Sequence, residues 1–198
     1  MRCDISHNSV QLFAKDYMRE YRDEKRFIAY CRECRRYGKC WACPPYPFDA
    51  SSLIGSYEYV NIIGTKITPS GMPAESEAPS PVRLVEKIRP WLDARIRELE
   101  GLRPGSLAFY AGTCHICPNA AESCARISGL PCRNPSLVRN SLESFGFDLE
   151  RTASELLGTP LKWGSNGGTP EYLLLISGLF TNCAEPAGLT GHGETLSV

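Results

Sequence analysis

The sequence predicts an α/β or α+β domain, a small mixed sheet covered by helices, with two cysteine-rich metal-binding loops. Three observations carry this. PVRLVEKIRPWLDARIRELE, from residue 81, repeats apolar residues at the helical period. YEYVNIIGTKI (57–67) and YLLLISGLF (172–180) are short, apolar and rich in residues that favour strands. Eight of the ten cysteines fall in two tight groups within loops.

Taken in order, the first stretch to about residue 30 is polar and irregular, with one helix over 15–22. FIAYC (27–31) reads as a short strand entering the first cysteine loop, which runs to about Phe48 and is stiffened by Pro44, Pro45 and Pro47. YEYVNIIGTKI is the next strand. TPSGMPAESEAPSP (68–81) has no periodicity and reads as a loop.

The long helix follows. Ser80 suits its cap and Pro81 its first position. Leu84, Val85, Ile88, Trp91, Leu92, Ile96 and Leu99 share one face, Pro90 should kink it, and Gly101 stops it. Trp91 reads as core. SLAFYAG (106–112) is a strand leading into the second cysteine loop. Asn134-Pro135 opens another helix, stopped by Gly146; Asp148 caps a third, ending near Gly158. YLLLISGLF, almost continuously apolar, is a central strand. Little in the tail can be buried. The expected organisation is an N-terminal segment (1–24), a metal-binding α/β domain (25–184) with cysteine loops at 31–48 and 112–133, and a flexible C-terminal tail (185–198).

Composition narrows the function. Lys+Arg and Asp+Glu are 22 each among 198 residues, which argues against a general nucleic-acid binder. The local basic patch of Arg32, Arg35, Arg36 and Lys39 is either a solvated surface or a positive rim for thiolates or an anion. No apolar run reaches the roughly 20 residues of a membrane span, and MRCDISHNSVQLF has no signal-peptide core. A cytoplasmic location is therefore expected, and there thiols stay reduced.

The first group is Cys31, Cys34, Cys40 and Cys43, spaced C-x2-C-x5-C-x2-C; the second is Cys114, Cys117, Cys124 and Cys132, spaced C-x2-C-x6-C-x7-C. Two thiolates three residues apart grip one metal ion or two corners of a cluster, and four satisfy tetrahedral zinc or a [4Fe-4S] cube. Pro44, Pro118 and Pro131 beside cysteines lean toward iron–sulfur. So do the small residues Ala120, Ala121, Ser123, Ala125 and Gly129, which let amides approach sulfur. Trp41 either shields a cluster or anchors its loop. His115 reads as a loop or supporting residue, because four cysteines already complete a site. A metal-free C-x-x-C thiol pair is the weaker reading. Motifs for nucleotide binding or a hydrolase triad are absent from the sequence.

With those residues in view, the chain resembles the prokaryotic domain of unknown function 2284 family, the "predicted metal-binding protein". The resemblance rests on CRECRRYGKCWACPPYP (31–47) and AGTCHICPNAAESCARISGLPCRNPSLVRNSLESFGFDL (111–149), and covers about residues 25–182. Cys31, Cys34, Tyr37, Gly38, Lys39, Trp41, Cys43, Pro44 and Pro45 match the family's first motif. Cys114, Cys117, Cys124, Gly129, Pro131, Cys132, Arg133, Pro135, Ser141, Glu143 and Gly146 match its second. Cys40 lies outside the pattern, and the interval between Cys117 and Cys124 is longer than C-x2-C.

The resemblance implies metal binding, with iron–sulfur favoured, and no assigned reaction. The leading expectation is one or two [4Fe-4S] clusters in electron transfer or an accessory redox module, with a redox protein as partner. The alternatives are a structural zinc-binding interaction protein, and an enzyme in which Cys31, Cys34 and Cys43 alone leave one iron open.

Overall fold

The computed structural model describes residues 2–70, 80–163, 170–189 and 194–197. Five strands form one sheet: β1 (Arg2–Phe13), β2 (Tyr59–Ser70), β3 (Leu107–Phe109), β4 (Leu173–Thr181) and β5 (Glu194–Ser197). Their order is β3-β4-β2-β1-β5, and every pair is antiparallel. The main helices are α1 (Ala14–Tyr21), α2 (Glu24–Glu33), α3 (Ala50–Gly55) and α4 (Pro81–Gly101). Two short ones follow: α5 (Ala120–Ser123), and α6 (Leu149–Arg151), which runs on as a wider π turn over Thr152–Leu156. The architecture is the expected mixture of sheet and helices, in its α+β form.

Alternation along β2 and β4 sorts side chains onto two faces. Ile63, Ile67, Leu175 and Leu179 pack with Leu84, Ile88, Leu92 and Ile96 of α4, in two adjoining clusters. Val60, Ile62, Ile176 and Phe180 pack the other way, against Tyr17, Ile54, Leu142, Phe145, Phe147 and Leu157. Burying each such aliphatic side chain contributes about 1.5–3 kcal/mol. Two-sided burial is why β4 reads as a continuous apolar run. Gly64 and Gly178 lie where these layers approach most closely: a Cβ at Gly64 would stand 2.8 Å from Leu157, and one at Gly178 3.0 Å from Leu142.

Helix α4 begins as the sequence predicts. The Ser80 hydroxyl accepts from the Arg83 N–H at 3.4 Å, and the helix continues through Pro90, which lies on its exposed side. Trp91 is partly buried, packed against both clusters on that face and stacked with His7 at 6.0 Å. Among the described residues, no helix is long and apolar enough to cross a membrane.

Four local expectations are corrected. The polar opening is strand β1, in register with β2 from Arg2 opposite Ser70 to Phe13 opposite Tyr59. Cys3, Ile5 and His7 are its buried, alternate residues. FIAYC lies within helix α2, where no residue is fully buried, so sheet burial does not recruit its β-formers. Residues 134–142 form turns rather than a helix. There the Asn140 carbonyl accepts from Tyr110 at 2.9 Å, and Asn134 is occupied with cysteine sulfur. The tail is not wholly loose: the buried Ala187 donates to Asn61 Oδ1 at 2.7 Å, and β5 pairs with β1. Most of the predicted loop over 68–81 lies outside the described residues.

Candidate metal centre

The first cysteine loop hangs from α2. Asp23 caps that helix by accepting from the Arg26 N–H at 3.0 Å, and Cys31 lies in its last turn. Cys34 follows as the C-cap, its N–H on the Cys31 carbonyl at 3.0 Å. The chain then turns tightly. Gly38, at φ 69°, donates to the Pro44 carbonyl at 2.8 Å, and Cys43 donates to the Cys40 carbonyl at 3.0 Å. The left-handed backbone at Gly38 is one that side chains resist.

The second loop starts where β3 ends. Cys114 and Cys117 follow Gly112, Cys124 comes directly after α5, and Cys132 precedes the turns of 134–142. A set of hydrogen bonds fastens the two loops together. Arg126 donates to the carbonyls of Cys40 (2.8 Å), Cys43 (2.6 Å) and Pro45, and its guanidinium lies 5.2 Å over the Trp41 ring. The Trp41 indole donates to the Leu130 carbonyl at 3.1 Å, and Arg36 donates to the Cys114 carbonyl at 3.0 Å. Asn140 reaches the Ala42 carbonyl at 3.1 Å. The loops, far apart in sequence, are one unit in space.

Within it the cysteines do not sort as they do in the sequence. Cys40, Cys114, Cys117, Cys124 and Cys132 border a single cavity, with Trp41, Ile116, Asn134 and Val138. Cys40 is only 1% exposed, and its thiol lies within reach of those of Cys43 and Cys114. Cys31, Cys34 and Cys43 form the other neighbourhood. Burial, then the Cys34 and Glu143 charges, pushes the Cys31 thiol up, and Cys34 also acts on Cys43. Cys3 is buried under α4, and the carbonyl of Cys183 accepts from Gln11. Among the described residues, no three or more His, Cys, Asp or Glu side chains are grouped so that they could hold a metal ion. The five thiols border a space instead.

Sulfur is met by N–H donors in a regular way. The backbone N–H two residues on serves Cys40 (from Ala42), Cys114 (from Ile116) and Cys132 (from Asn134, 3.4 Å). The Asn134 side chain adds a bond to Cys117 Sγ at 3.4 Å. Such bonds favour thiolate over thiol. In the Cys40–Cys43–Cys114 trio, the bonds from Cys114 and then Cys43 pull the Cys40 pKa down. The same bonds push the pKa of the two partners up. The donor set is therefore soft, partly buried and organised for anionic sulfur, which fits a thiolate-bound metal centre.

The donors seen among the described residues are Ala42, Ile116 and Asn134, while Ser123 turns its hydroxyl to the Pro118 carbonyl. Trp41 both borders the cavity and anchors its loop. His115 turns away from the thiols to Asp93 Oδ2 at 2.6 Å, and Arg133 is exposed. Of the basic patch, Arg32 and Lys39 face solvent, while Arg36 is tied to the second loop.

Residues matched to the family model for the predicted metal-binding protein DUF2284 run from 18 to 177. The chain belongs to this family. The span takes in both cysteine loops, so these loops lie within the part of the chain that carries the family's metal-binding description. Comparison with curated proteins and with solved structures gives no match.

Sequence reasoning missed Arg126, Asn134, Arg89 and Asp93. A signal existed for the last two: Arg89 and Asp93 are charges one turn apart, directly following the buried Ile88 and Leu92 of α4. Both are buried, with Arg89 Nη2 at 3.6 Å from Asp93 Oδ2 and 3.3 Å from the Gly112 carbonyl.

Proposed function

We propose that the chain is an iron–sulfur protein acting in electron transfer or as an accessory redox module. In this reading Cys114, Cys117, Cys124 and Cys132 hold one [4Fe-4S] cluster, and Cys31, Cys34 and Cys43 offer three thiolates to a second. The observation that carries it is the bordering of one cavity by five thiols, three of them with a backbone N–H two residues on. A single zinc ion needs four sulfurs about 2.3 Å from one point. A [4Fe-4S] cube bound there would supply one-electron redox chemistry tuned by hydrogen bonds to sulfur.

Structural zinc is the second reading, favoured by the C-x2-C turns at Cys40 and Cys114, which also suit zinc. Anaerobic purification, followed by iron, zinc and acid-labile sulfide analysis per chain, separates the two. The expected result is about four or eight irons with matching sulfide, with broad absorption that bleaches on reduction. Stoichiometric zinc without sulfide overturns the iron–sulfur reading.

A further inference from the structure

A cavity of about 1070 Å³ lies beside the candidate centre, walled by α4, the Arg35–Arg36 turn, residues 113–119 and β4. That is the size of a site for a small organic molecule. Its two ends differ. Toward Cys114 it is cationic: Arg36 and Arg89 reach the carbonyls of Cys114 and Gly112, and Arg35 stands nearby. Away from Cys114 it is apolar, lined by Val82, Val85, Leu161, Leu173, Leu175 and the 81%-exposed Trp163.

Burying the Arg89 guanidinium needs compensation. Its side chain is 10% exposed, and Nη2 lies 3.6 Å from Asp93 Oδ2 and 3.3 Å from the Gly112 carbonyl. The lining carries Arg35, Arg36, Arg89 and Lys162 against Glu86 and Glu122, an excess of positive charge. A cationic floor and an apolar wall match an amphipathic anion.

We infer that this cavity binds an organic acid with an extended apolar portion, its anionic head at Arg36 and Arg89 and its tail along Leu173, Leu175 and Trp163. The head then rests against the turn bearing Cys114 and Cys117, which makes the ligand a substrate or effector of the neighbouring centre. This placement rests on the metal-centre reading for its function, but not for the binding itself.

The test uses full-length, anaerobically purified protein of measured iron, zinc and sulfide content, with decanoate, decyl phosphate and 1-decanol as probes in calorimetry. Expected is saturable binding of at least one anion, about tenfold or more tighter than the alcohol. Arg36→Gln should weaken the anion about tenfold while leaving the alcohol nearly unchanged. Val85→Trp, which narrows the cavity without removing a charge, should weaken all three. Equal binding of alcohol and anions, or no binding up to their solubility limits, overturns the proposal. Selective anion binding by protein that carries zinc and no sulfide sustains it while overturning the iron–sulfur reading. Failure of binding in iron-loaded protein does the reverse.

Discussion

Cys40 and Cys114 line one cavity, although the two belong to different cysteine loops in the sequence. This placement makes Cys40 a fifth thiol on a cavity that the four cysteines of the second loop already border. Cys40→Ser is therefore expected to keep its iron, since four cysteines remain for one centre and three for the other. Iron per chain in the anaerobically purified variant decides it. Loss of one cluster's worth of iron would make Cys40 a ligand, either of this centre or as the fourth thiolate beside Cys31, Cys34 and Cys43.

Asn134 holds two sulfurs at once, Cys132 through its backbone N–H and Cys117 through its side chain, both at 3.4 Å. Asn134→Ala removes only the second bond. Partners that orient ligands in this way typically carry about 10–100-fold in metal affinity. Competition with a chelator should show a loss in that range, with the fold unchanged by circular dichroism. Unchanged metal retention would mean that the Asn134 side chain plays no part in holding the metal.

Arg126 is the clamp between the loops, with three carbonyls of the first loop on one guanidinium from the second. Arg126→Ala leaves those carbonyls without their donor, at a cost of about 2 kcal/mol in a partly exposed setting. Lysine should not rescue it, because a point charge cannot replace the planar fork. Thermal unfolding of both variants checks this; full rescue by lysine would show that charge alone holds the loops.

Much of this arrangement was legible beforehand, and the reasons differ by element. The period of Leu84, Ile88, Leu92 and Ile96 and the Ser80-Pro81 start fixed α4, because one buried face and one cap are local facts. β1 was hidden because its buried alternation covers only Cys3, Ile5 and His7, while Val10 and Leu12 pack on the opposite face. The cysteine groups were visible as ligand spacings, yet the transfer of Cys40 to the second group was not. It depends on Arg126, Trp41 and Arg36, whose hydrogen bonds span from one loop to the other and leave no periodicity in either. Gly146 was readable only as a stop. Its fuller role is spatial: at φ 89° it lies so near α2 that a Cβ would stand 2.7 Å from Glu24 Cα.

Glu143 supplies a prediction about pH. Its carboxylate is buried, Oε2 has no hydrogen-bond partner, and burial holds its pKa above the ordinary range despite a bond from Ser141 and the Arg89 charge. A carboxyl whose pKa is raised by folding favours the folded state fully below the unfolded pKa. That contribution is lost as pH rises through the folded value. Stability should therefore fall across this window in the native protein, and fall less in Glu143→Gln, which keeps the shape and cannot ionise. Metal-loaded protein of both kinds, unfolded thermally from mildly acidic to mildly alkaline pH, gives the comparison, since effects shared by the cysteines cancel in the difference. The Gln variant should gain on the native chain as pH rises. If it instead loses stability at neutral pH, the attraction between Glu143 and Arg89 outweighs the burial of the carboxylate.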